Sequence, residues 1–399
     1  MSAWRSAVVV GLIAIAGCRE QLTTPGRCPE LCPRGNVQLA DTLLAAMDVS
    51  DTSVRGYVLV REASYLMAST LDSLKSVMLI RFLKRDSVWY PDATDTAYAG
   101  QQDSVVLSVV IAQRDTAVKQ LRLAIYRLPA LLDTAATYAS MQPYFTDPFL
   151  VDTVTLADTV QSGTVTFRIA DSLVIPAGDS GVVSLGVALV SPQQTVLTVG
   201  SGNLGTTPPN LAYFVHARAP LDSISKAFQE PPFVSLFVMS PAPGQPPAGV
   251  LALGGIPTAR ATMRLSLPKV VVDSNNIVRA TLLLNTTAPA GGFARDTFTV
   301  IAQPVVRDYG IKSVLWPDSA VSGAVRIVQG QSGPVELDIA PILRFWGTTV
   351  GDSTPRLIVL RVYPEGSILG SVSFAGRAAG AAGPQLRVTY VKPYQFGLP

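Results

Sequence analysis

Residues 163–173 read Gly-Thr-Val-Thr-Phe-Arg-Ile-Ala-Asp-Ser-Leu, and residues 333–343 read Gly-Pro-Val-Glu-Leu-Asp-Ile-Ala-Pro-Ile-Leu. Both stretches follow the pattern G-x-V-x-[FL]-x-I-A-x-x-L and lie 170 residues apart. Apolar and polar residues alternate in each, which is typical of a β-strand with one face in the core and one in solvent. We expect Val335, Leu337 and Ile339 to be buried, and Glu336 and Asp338 to be exposed.

Two further pairs of segments repeat in the same order. Pro209–Leu211 corresponds to Pro384–Leu386, 175 residues later, and each segment leads into an apolar strand. Leu79–Phe82 corresponds to Thr262–Leu265, 183 residues later. Because the order is kept while the spacing changes only by loop-sized amounts, the sequence predicts a duplicated domain of roughly 160 residues.

The rest of the sequence contains short apolar runs rich in Val, Leu and Ile, separated by Gly, Pro, Asp and Ser. Such runs predict an all-β chain of two tandem, antiparallel, jelly-roll-like β-sandwiches. Helices should be few, at 130–141 and as a turn or two near 221–228. Further strands are predicted at Val105–Ala112, Gln120–Arg127, Val182–Val190, Val278–Asn285, Thr297–Gln303 and Arg356–Val362.

These features divide the chain into five parts. Residues 1–17 are predicted to form a signal peptide, 18–50 a tether with a leading strand, 51–217 the first sandwich, 218–232 a linker and 233–399 the second sandwich.

The composition excludes some classes of protein. Hydrophobic residues make up 48% of the chain and charged residues 15%, and the mean hydropathy is +0.34. Beyond residue 17 no apolar run is long enough to span a bilayer as a helix. The formal net charge is +3 and no basic cluster occurs, so we do not expect nucleic acid as a partner.

The N-terminus has the pattern of a lipoprotein signal peptide. A basic start ending at Arg5 is followed by the apolar run Ala7–Ala16 and by Gly17 before Cys18. This resembles a lipobox, which implies cleavage before Cys18 and lipidation of its thiol. The alternative is an ordinary signal peptide with an incidental cysteine. Arg19 stands where an aspartate would retain such a lipoprotein at the inner membrane, so the resemblance implies the outer membrane.

Two more cysteines, Cys28 and Cys32, lie in a Pro-rich stretch. An exported compartment permits a local disulfide that stiffens the tether. Metal binding is the weaker alternative, since two thiols without nearby histidines fall short of the four ligands that zinc usually takes. A redox role is weaker still, because the spacing is CxxxC.

A third group of motifs runs in a fixed order through the second repeat: Arg264-Leu-Ser-Leu, Ala280-Thr-Leu-Leu-Leu, Val335-Glu-Leu-Asp-Ile-Ala with Trp346, and Gly383-Pro-Gln-Leu-Arg-Val-Thr-Tyr390. In this order the repeat resembles the DNRLRE-type domain of bacterial surface proteins. The resemblance covers about 233–391 and, more loosely, 56–215, where the tryptophan is missing. It implies a jelly roll like that of carbohydrate-binding modules. The motifs report strand order and core packing, so they bear on fold more than on activity.

Few residues are suited to catalysis. His216 is the only histidine and no G-x-S-x-G motif occurs, so we expect no Ser-His-Asp site and no enzyme activity. Neither a metal nor a cofactor is expected. Trp89 and Tyr90, beside Pro91, are candidates for stacking on a sugar. Trp346 is expected in the core, as the resemblance implies, with a sugar platform as the alternative.

Seventeen of the 22 aspartates precede Ser or Thr, and twelve of these pairs are followed by Ala, Ile, Leu, Met or Val. One interpretation is turn chemistry, in which aspartates form Asx turns and polar strand ends. The other is modification, because Asp-[Ser/Thr]-aliphatic resembles an O-glycosylation sequon of exported bacterial proteins. Ser104, Thr153 and Thr159 are the candidate sites.

The sequence therefore predicts a non-catalytic, lipid-anchored protein of the cell envelope that binds or scaffolds at the cell surface. Its partners would be the membrane, through the anchor, and a glycan or an envelope protein. A glycan-recognition protein, a purely structural spacer and a polysaccharide-acting enzyme are the alternatives.

Overall fold

The computed structural model describes residues 39–45, 48–56, 63, 65–84, 88–89, 98–130, 136–173, 181–202, 207–217, 225–240, 244–272, 276–308, 315–348 and 354–391. The predicted signal peptide, the three cysteines and Tyr90 lie outside these residues. The described chain is nearly all β, so the predicted fold class is confirmed. Among the described residues, no helix is both long and apolar enough to cross a membrane.

The strands are numbered in chain order as β1 Leu39–Ala45, β2 Asp48–Arg55, β3 Tyr65–Leu71, β4 Leu74–Leu83, β5 Val88–Trp89, β6 Tyr98–Arg114, β7 Arg122–Arg127, β8 Leu150–Thr155, β9 Gly163–Ile169, β10 Val182–Val190, β11 Val196–Gly200, β12 Asn210–Ala217, β13 Ser225–Glu230, β14 Val234–Ser240, β15 Val250–Gly254, β16 Ala259–Leu265, β17 Asn276–Asn285, β18 Thr297–Arg307, β19 Trp316–Pro317, β20 Gly323–Val328, β21 Pro334–Asp338, β22 Leu357–Tyr363, β23 Ser371–Ala375 and β24 Gln385–Val391. Three helices are α1 Tyr138–Met141, α2 Lys269–Val272 and α3 Ala340–Thr348.

The first unit consists of β3–β14. Its motif sheet, which contains the first copy of the repeated motif, has the order β13-β12-β6-β9, and its opposite sheet has the order β14-β4-β10-β7-β8. All neighbours are antiparallel. Strand β11 pairs with both β6 and β3, and β3 pairs with β4, so the two sheets join at one end. One apolar cluster fills the space between them.

The second unit consists of β15–β24 together with β1 and β2. Its motif sheet has the order β1-β24-β17-β21, and its opposite sheet has the order β2-β16-β22-β18-β20. Strands β15 and β23 form the pair that corresponds to β3 and β11. In each unit the chain crosses repeatedly between the two sheets, as in a jelly roll.

The two copies of the motif occupy the same place in their units. Leu107 on β6 lies opposite both Phe167 on β9 and Leu211 on β12. Leu282 on β17 lies opposite both Leu337 on β21 and Leu386 on β24. The repeated motifs thus align with the same partners in the same register.

The alternation predicted for the motif strands is also confirmed. Val335, Leu337 and Ile339 are at most 2% exposed, whereas Glu336 and Asp338 face solvent. In β9 the same alternation holds, with Phe167 buried and its polar neighbours exposed.

The helical segments differ from the prediction. Within 130–141, only Tyr138–Met141 is described as helical. The turn predicted at 221–228 was wrong for 225–228, which belong to β13, because pairing with β12 buries one side of Phe228 against the core. Helix α3 was not predicted from the sequence; it begins where Asp338 Oδ1 accepts the N–H of Ala340 at 2.9 Å.

The first strands of both predicted sandwiches pair with the other unit. Residues 51–55, assigned to the first sandwich, lie in β2 and pair with β16 of the second unit. Val234–Ser240, assigned to the second sandwich, is β14 and pairs with β4 of the first unit. Between the units, Phe293 and Ile256 pack into the first unit's core, and Gln113 Nε2 donates to Asp296 Oδ2 at 3.1 Å.

Candidate binding surface

The outward faces of the two opposite sheets differ although their strands correspond. In the first unit, the connection from β7 to β8 folds back over the sheet. Its side chains Met141, Tyr144 and Phe145 pack with Val77 and Leu79 on β4. A covered sheet face has no surface left for a ligand, so this face has a structural role.

Gly186 on β10 makes this cover fit. A Cβ atom placed on Gly186 would lie 2.7 Å from Cζ of Phe145, well inside van der Waals contact. The Phe145 ring therefore sits on backbone, where it also contacts Tyr126 with ring centroids 5.1 Å apart. Val359 occupies the position on β22 that corresponds to Gly186, so the second unit has no such space for a ring.

In the second unit, the described part of the connection from β18 to β20 covers one end of the sheet. Leu315 packs there on Val305, Leu357 and Val359. The rest of the outward face carries four arginines from three strands and we call it the arginine face. Its arginines are Arg260 and Arg264 on β16, Arg361 on β22 and Arg326 on β20.

Two of these guanidiniums share one carboxylate. Arg260 donates from Nε to Glu365 Oε1 at 2.7 Å and from Nη2 to Oε2 at 2.5 Å. Arg361 Nη1 donates to the same Oε2 at 3.4 Å and its Nε to Gln303 Oε1 at 3.0 Å. The Glu365 side chain is only 6% exposed, whereas that of Arg260 is 48% exposed. One carboxylate thus orients two cations at the surface.

Tyr363 lies next to this pair and is 54% exposed. The guanidinium carbon of Arg361 is 5.9 Å from its ring centroid, within the range of a cation–π contact. Tyr363 and Arg326 lie on either side of Thr299 in neighbouring strands. Two strand spacings separate their backbones by about 10 Å.

Arg264 has a structural role at the edge of this face. Its Nη2 lies 2.5 Å from Asp308 Oδ2, just after β18. The corresponding residue of the first unit, Arg81, donates from Nη2 to the carbonyl of Ala130 at 2.6 Å, just after β7. Each arginine thus links its own strand to the segment that follows another strand of the same sheet. This contact accounts for the recurrence of the arginine in the repeat.

The arginine face can therefore bind an anion. Guanidiniums recognise carboxylate, sulfate or phosphate groups through paired N–H donors, and an exposed tyrosine ring offers a flat apolar surface beside them. Within the described residues, no group of three or more His, Cys, Asp or Glu side chains is placed to hold a metal ion.

The candidate glycosylation residues lie apart from this face and from one another. Ser104 is on the outward side of β6, opposite the 40% exposed Phe214. Thr153 is half-buried on β8, and Thr159 is exposed in the turn after β8. All three hydroxyls are thus at least partly accessible.

The described aspartates of the Asp-Ser/Thr pairs frequently accept backbone N–H groups. Asp115 Oδ1 accepts from Ala117 at 2.9 Å and Asp318 Oδ1 from Ala320 at 2.8 Å, which are Asx turns. Asp152 Oδ2 accepts from the N–H of Arg168 at 3.0 Å on the neighbouring strand β9. Turn and strand-edge chemistry therefore accounts for these pairs, and it leaves their hydroxyls open to modification.

The aromatic candidates have different surroundings. The backbone of Trp89 pairs with that of Tyr98 in a short two-stranded ribbon. Tyr90, the other residue predicted to stack on a sugar, lies outside the described residues. Trp346 on α3 is 7% exposed within the second core, which confirms its predicted core position. His216 pairs through its backbone with Gln101 and Ser225. Trp316 on β19 is 61% exposed.

The arginine face was not predicted from the sequence. Arg260 and Arg361 occupy outward positions on central strands, between buried neighbours, and this parity was readable from the sequence. Glu365, which joins them, follows β22 after a cis Tyr363–Pro364 bond. No spacing rule in the sequence brings it to Arg260, 105 residues away.

No family model matches the chain, and no curated protein matches it. Among solved structures, a protein from Parabacteroides distasonis described as secreted is 12% identical with a TM-score of 0.21, covering 89% of this chain and 100% of that one. A nodavirus of Macrobrachium rosenbergii is 11% identical with a TM-score of 0.18, covering 94% and 97%. An 11S allergen from Cocos nucifera is 8% identical with a TM-score of 0.11, covering 87% and 90%. Likeness at these scores carries no argument about fold or function.

Proposed function

We propose that this chain is a non-catalytic, lipid-anchored protein of the cell envelope that binds an anionic polymer through the arginine face. The observation that carries the proposal is the arrangement of Arg260, Arg361 and Tyr363 on an open sheet face, since the corresponding face of the first unit is covered. An acidic glycan is the ligand class that suits guanidiniums beside an exposed ring.

The anchor is proposed from the sequence at Ala16-Gly17-Cys18. Cys18→Ala should abolish metabolic labelling with palmitate and release the protein from the membrane fraction, because the acylated glyceryl group is joined to the thiol sulfur through a thioether bond. Cys28→Ala is the matched control and should leave labelling intact. Labelling that persists in Cys18→Ala would exclude lipidation at this residue.

The binding surface can be tested with the full-length protein in detergent. Its binding to immobilised polygalacturonate is compared with its binding to immobilised neutral dextran. The wild type should bind polygalacturonate better, and added salt should weaken binding because the contacts are ionic. Arg361→Ala should weaken binding about tenfold, since a hydrogen bond to a charged group contributes about 1.5–3 kcal/mol.

Two further variants separate a site from general charge. Arg326→Ala and Tyr363→Ala alter the same face while leaving the hydrogen bonds of Glu365 in place, and both should also weaken binding. Arg168→Ala removes one exposed positive charge from the motif sheet of the first unit and should leave binding unchanged. Equal losses in all arginine variants would mean that net charge alone attracts the polymer. Unaltered binding in Arg361→Ala would exclude the arginine face.

A further inference from the structure

Each unit contains a slot that is filled by two consecutive strands. In the first unit, β13 pairs with β12 in the motif sheet and β14 pairs with β4 in the opposite sheet, with Val234 opposite Arg81. In the second unit, β1 pairs with β24 and β2 pairs with β16, with Ser50 opposite Arg264. The two strands that fill a slot thus belong to different sheets, and we call each such two-strand segment an arm. Because Arg81 and Arg264 are corresponding residues of the repeat, the β1–β2 arm and the β13–β14 arm occupy equivalent slots.

The order along the chain differs between the two slots. The β13–β14 arm immediately precedes the body of the second unit, β15–β24, and fills the slot of the first unit. The β1–β2 arm precedes the body of the first unit, β3–β12, yet fills the slot of the second. In both cases an arm serves a body other than the one that follows it in the chain.

The β1–β2 arm is held chiefly by hydrogen bonds. It forms register pairs along all of β1 with β24 and along β2 with β16. Ser53 Oγ donates to the carbonyl of Val250 at 2.9 Å, and Asp51 Oδ2 accepts the N–H of Arg377 at 2.5 Å. Its contribution to the core is small, because Ala40 and Leu44 only pack against the cluster while half-buried. Such a piece can leave and return without dismantling either core.

We propose that the β1–β2 arm fills the slot of the second unit in another copy of this chain, in exchange with its own. The exchanged contact is the one already present within the chain, so the interface needs no new surface. Nine residues join Arg55 to Tyr65 and span at most about 35 Å. The second unit of the partner must therefore lie close to the first unit of the donor, which favours reciprocal exchange in a compact dimer over long filaments.

A cross-link between two different chains tests the exchange. Asp41 and Thr389 lie directly opposite each other on β1 and β24, and their side chains are in contact. The full-length chain, with Cys18, Cys28 and Cys32 replaced by Ser, would carry either Asp41→Cys or Thr389→Cys. The two variants are unfolded together, refolded at high concentration and oxidised. Exchange predicts a disulfide-linked dimer that contains one chain of each kind.

Two controls make the result unambiguous. A chain with both Asp41→Cys and Thr389→Cys should form the link within itself at low concentration, which shows that the strands pair as described. Asp41→Cys mixed with Thr164→Cys, an exposed position on β9, should give several-fold less mixed dimer than the test pair. If the double variant links internally but the test pair gives no more mixed dimer than this control, the exchange does not occur.

Discussion

Leu337 has no exposed surface and lies between Leu282 and the rest of the second core. Truncation to alanine leaves a cavity among close-packed neighbours, so Leu337→Ala should lower the free energy of unfolding by about 2–5 kcal/mol. Glu336→Ala, one residue away on the exposed side, should change it by no more than about 0.5 kcal/mol. Urea denaturation followed by tryptophan fluorescence measures both, and equal losses would mean that the strand parity is misplaced.

Asp338 shares the outward parity of Glu336, yet it is not a neutral position. Its Oδ1 accepts the N–H of Ala340 where α3 begins. Removal of a side chain that satisfies a helix's first N–H groups costs typically about 1 kcal/mol. Alternation alone predicts no cost here, because it says nothing about the helix that follows the strand.

Two tyrosines of the covered face link stability to pH. Burial raises the pKa of Tyr126, with a smaller contribution from the negative charge of Asp147, and burial also raises the pKa of Tyr138. The unfolded chain therefore loses these protons at lower pH than the folded one. Stability should be intact below pH 10, the ordinary pKa of tyrosine, and should fall as the pH rises through the folded values.

The double variant Tyr126→Phe and Tyr138→Phe isolates this effect. Between about pH 9 and pH 11, the range in which ordinary tyrosines titrate, it should lose less free energy of unfolding than the wild type. At pH 7 its rings should pack as they do in the wild type. Thermal unfolding across that range is the measurement. An alkaline decline that matches the wild type would assign it to other groups.

Among the elements, the strands were the most predictable. The segments predicted at Val182–Val190 and Val278–Asn285 lie within β10 and β17, because alternation and bounding turn residues are local signals. The helix α3 is stabilised by its contact with Asp338 and by burial of Ile342 and Leu343. The Ala340-Pro341 sequence at its start does not indicate a helix. The arginine face was unpredictable as a cluster, since strand pairing brings its members together from distant segments.

The cover over the first unit gives a prediction at this scale. Gly186→Ala places a methyl group against the ring of Phe145 and should lower stability by about 1–3 kcal/mol through overpacking. Gly181→Ala is not a suitable control because its φ is +63°. The informative comparison is Gly186→Ala in a Phe145→Ala background, where the clash is gone. A cost that persists there would arise from the strand backbone and not from the cover.

For the whole molecule, modification of the Asp-Ser/Thr pairs remains a prediction. If Thr159 bears a glycan, protein from the native host should exceed the mass of its processed sequence by hexose-sized increments. Thr159→Ala should remove one increment without loss of fold, because its side chain is exposed. Thr164→Ala, at an exposed threonine that follows a glycine, should leave the mass pattern unchanged. An unmodified intact mass would leave these aspartates as turn formers.

The domain order of the chain could not be predicted from repeats alone. Sequence similarity located both bodies, because their motifs carry the core, but the β1–β2 arm has few buried side chains and leaves only a weak pattern. Leu39 and Leu43 on β1 are more than half exposed, so alternation there does not identify the unit to which the strand belongs.

The pairing of Leu39 with Val391 also sets an order in time. A ribosome that adds about 5–20 residues per second completes β24 roughly 20 to 70 s after β1 has been made. During that interval the first unit can acquire all of its strands, since β13 and β14 follow soon after β12. A newly made chain therefore leaves β1 without its partner strand until β24 arrives, whereas β2 can pair with β16 much earlier.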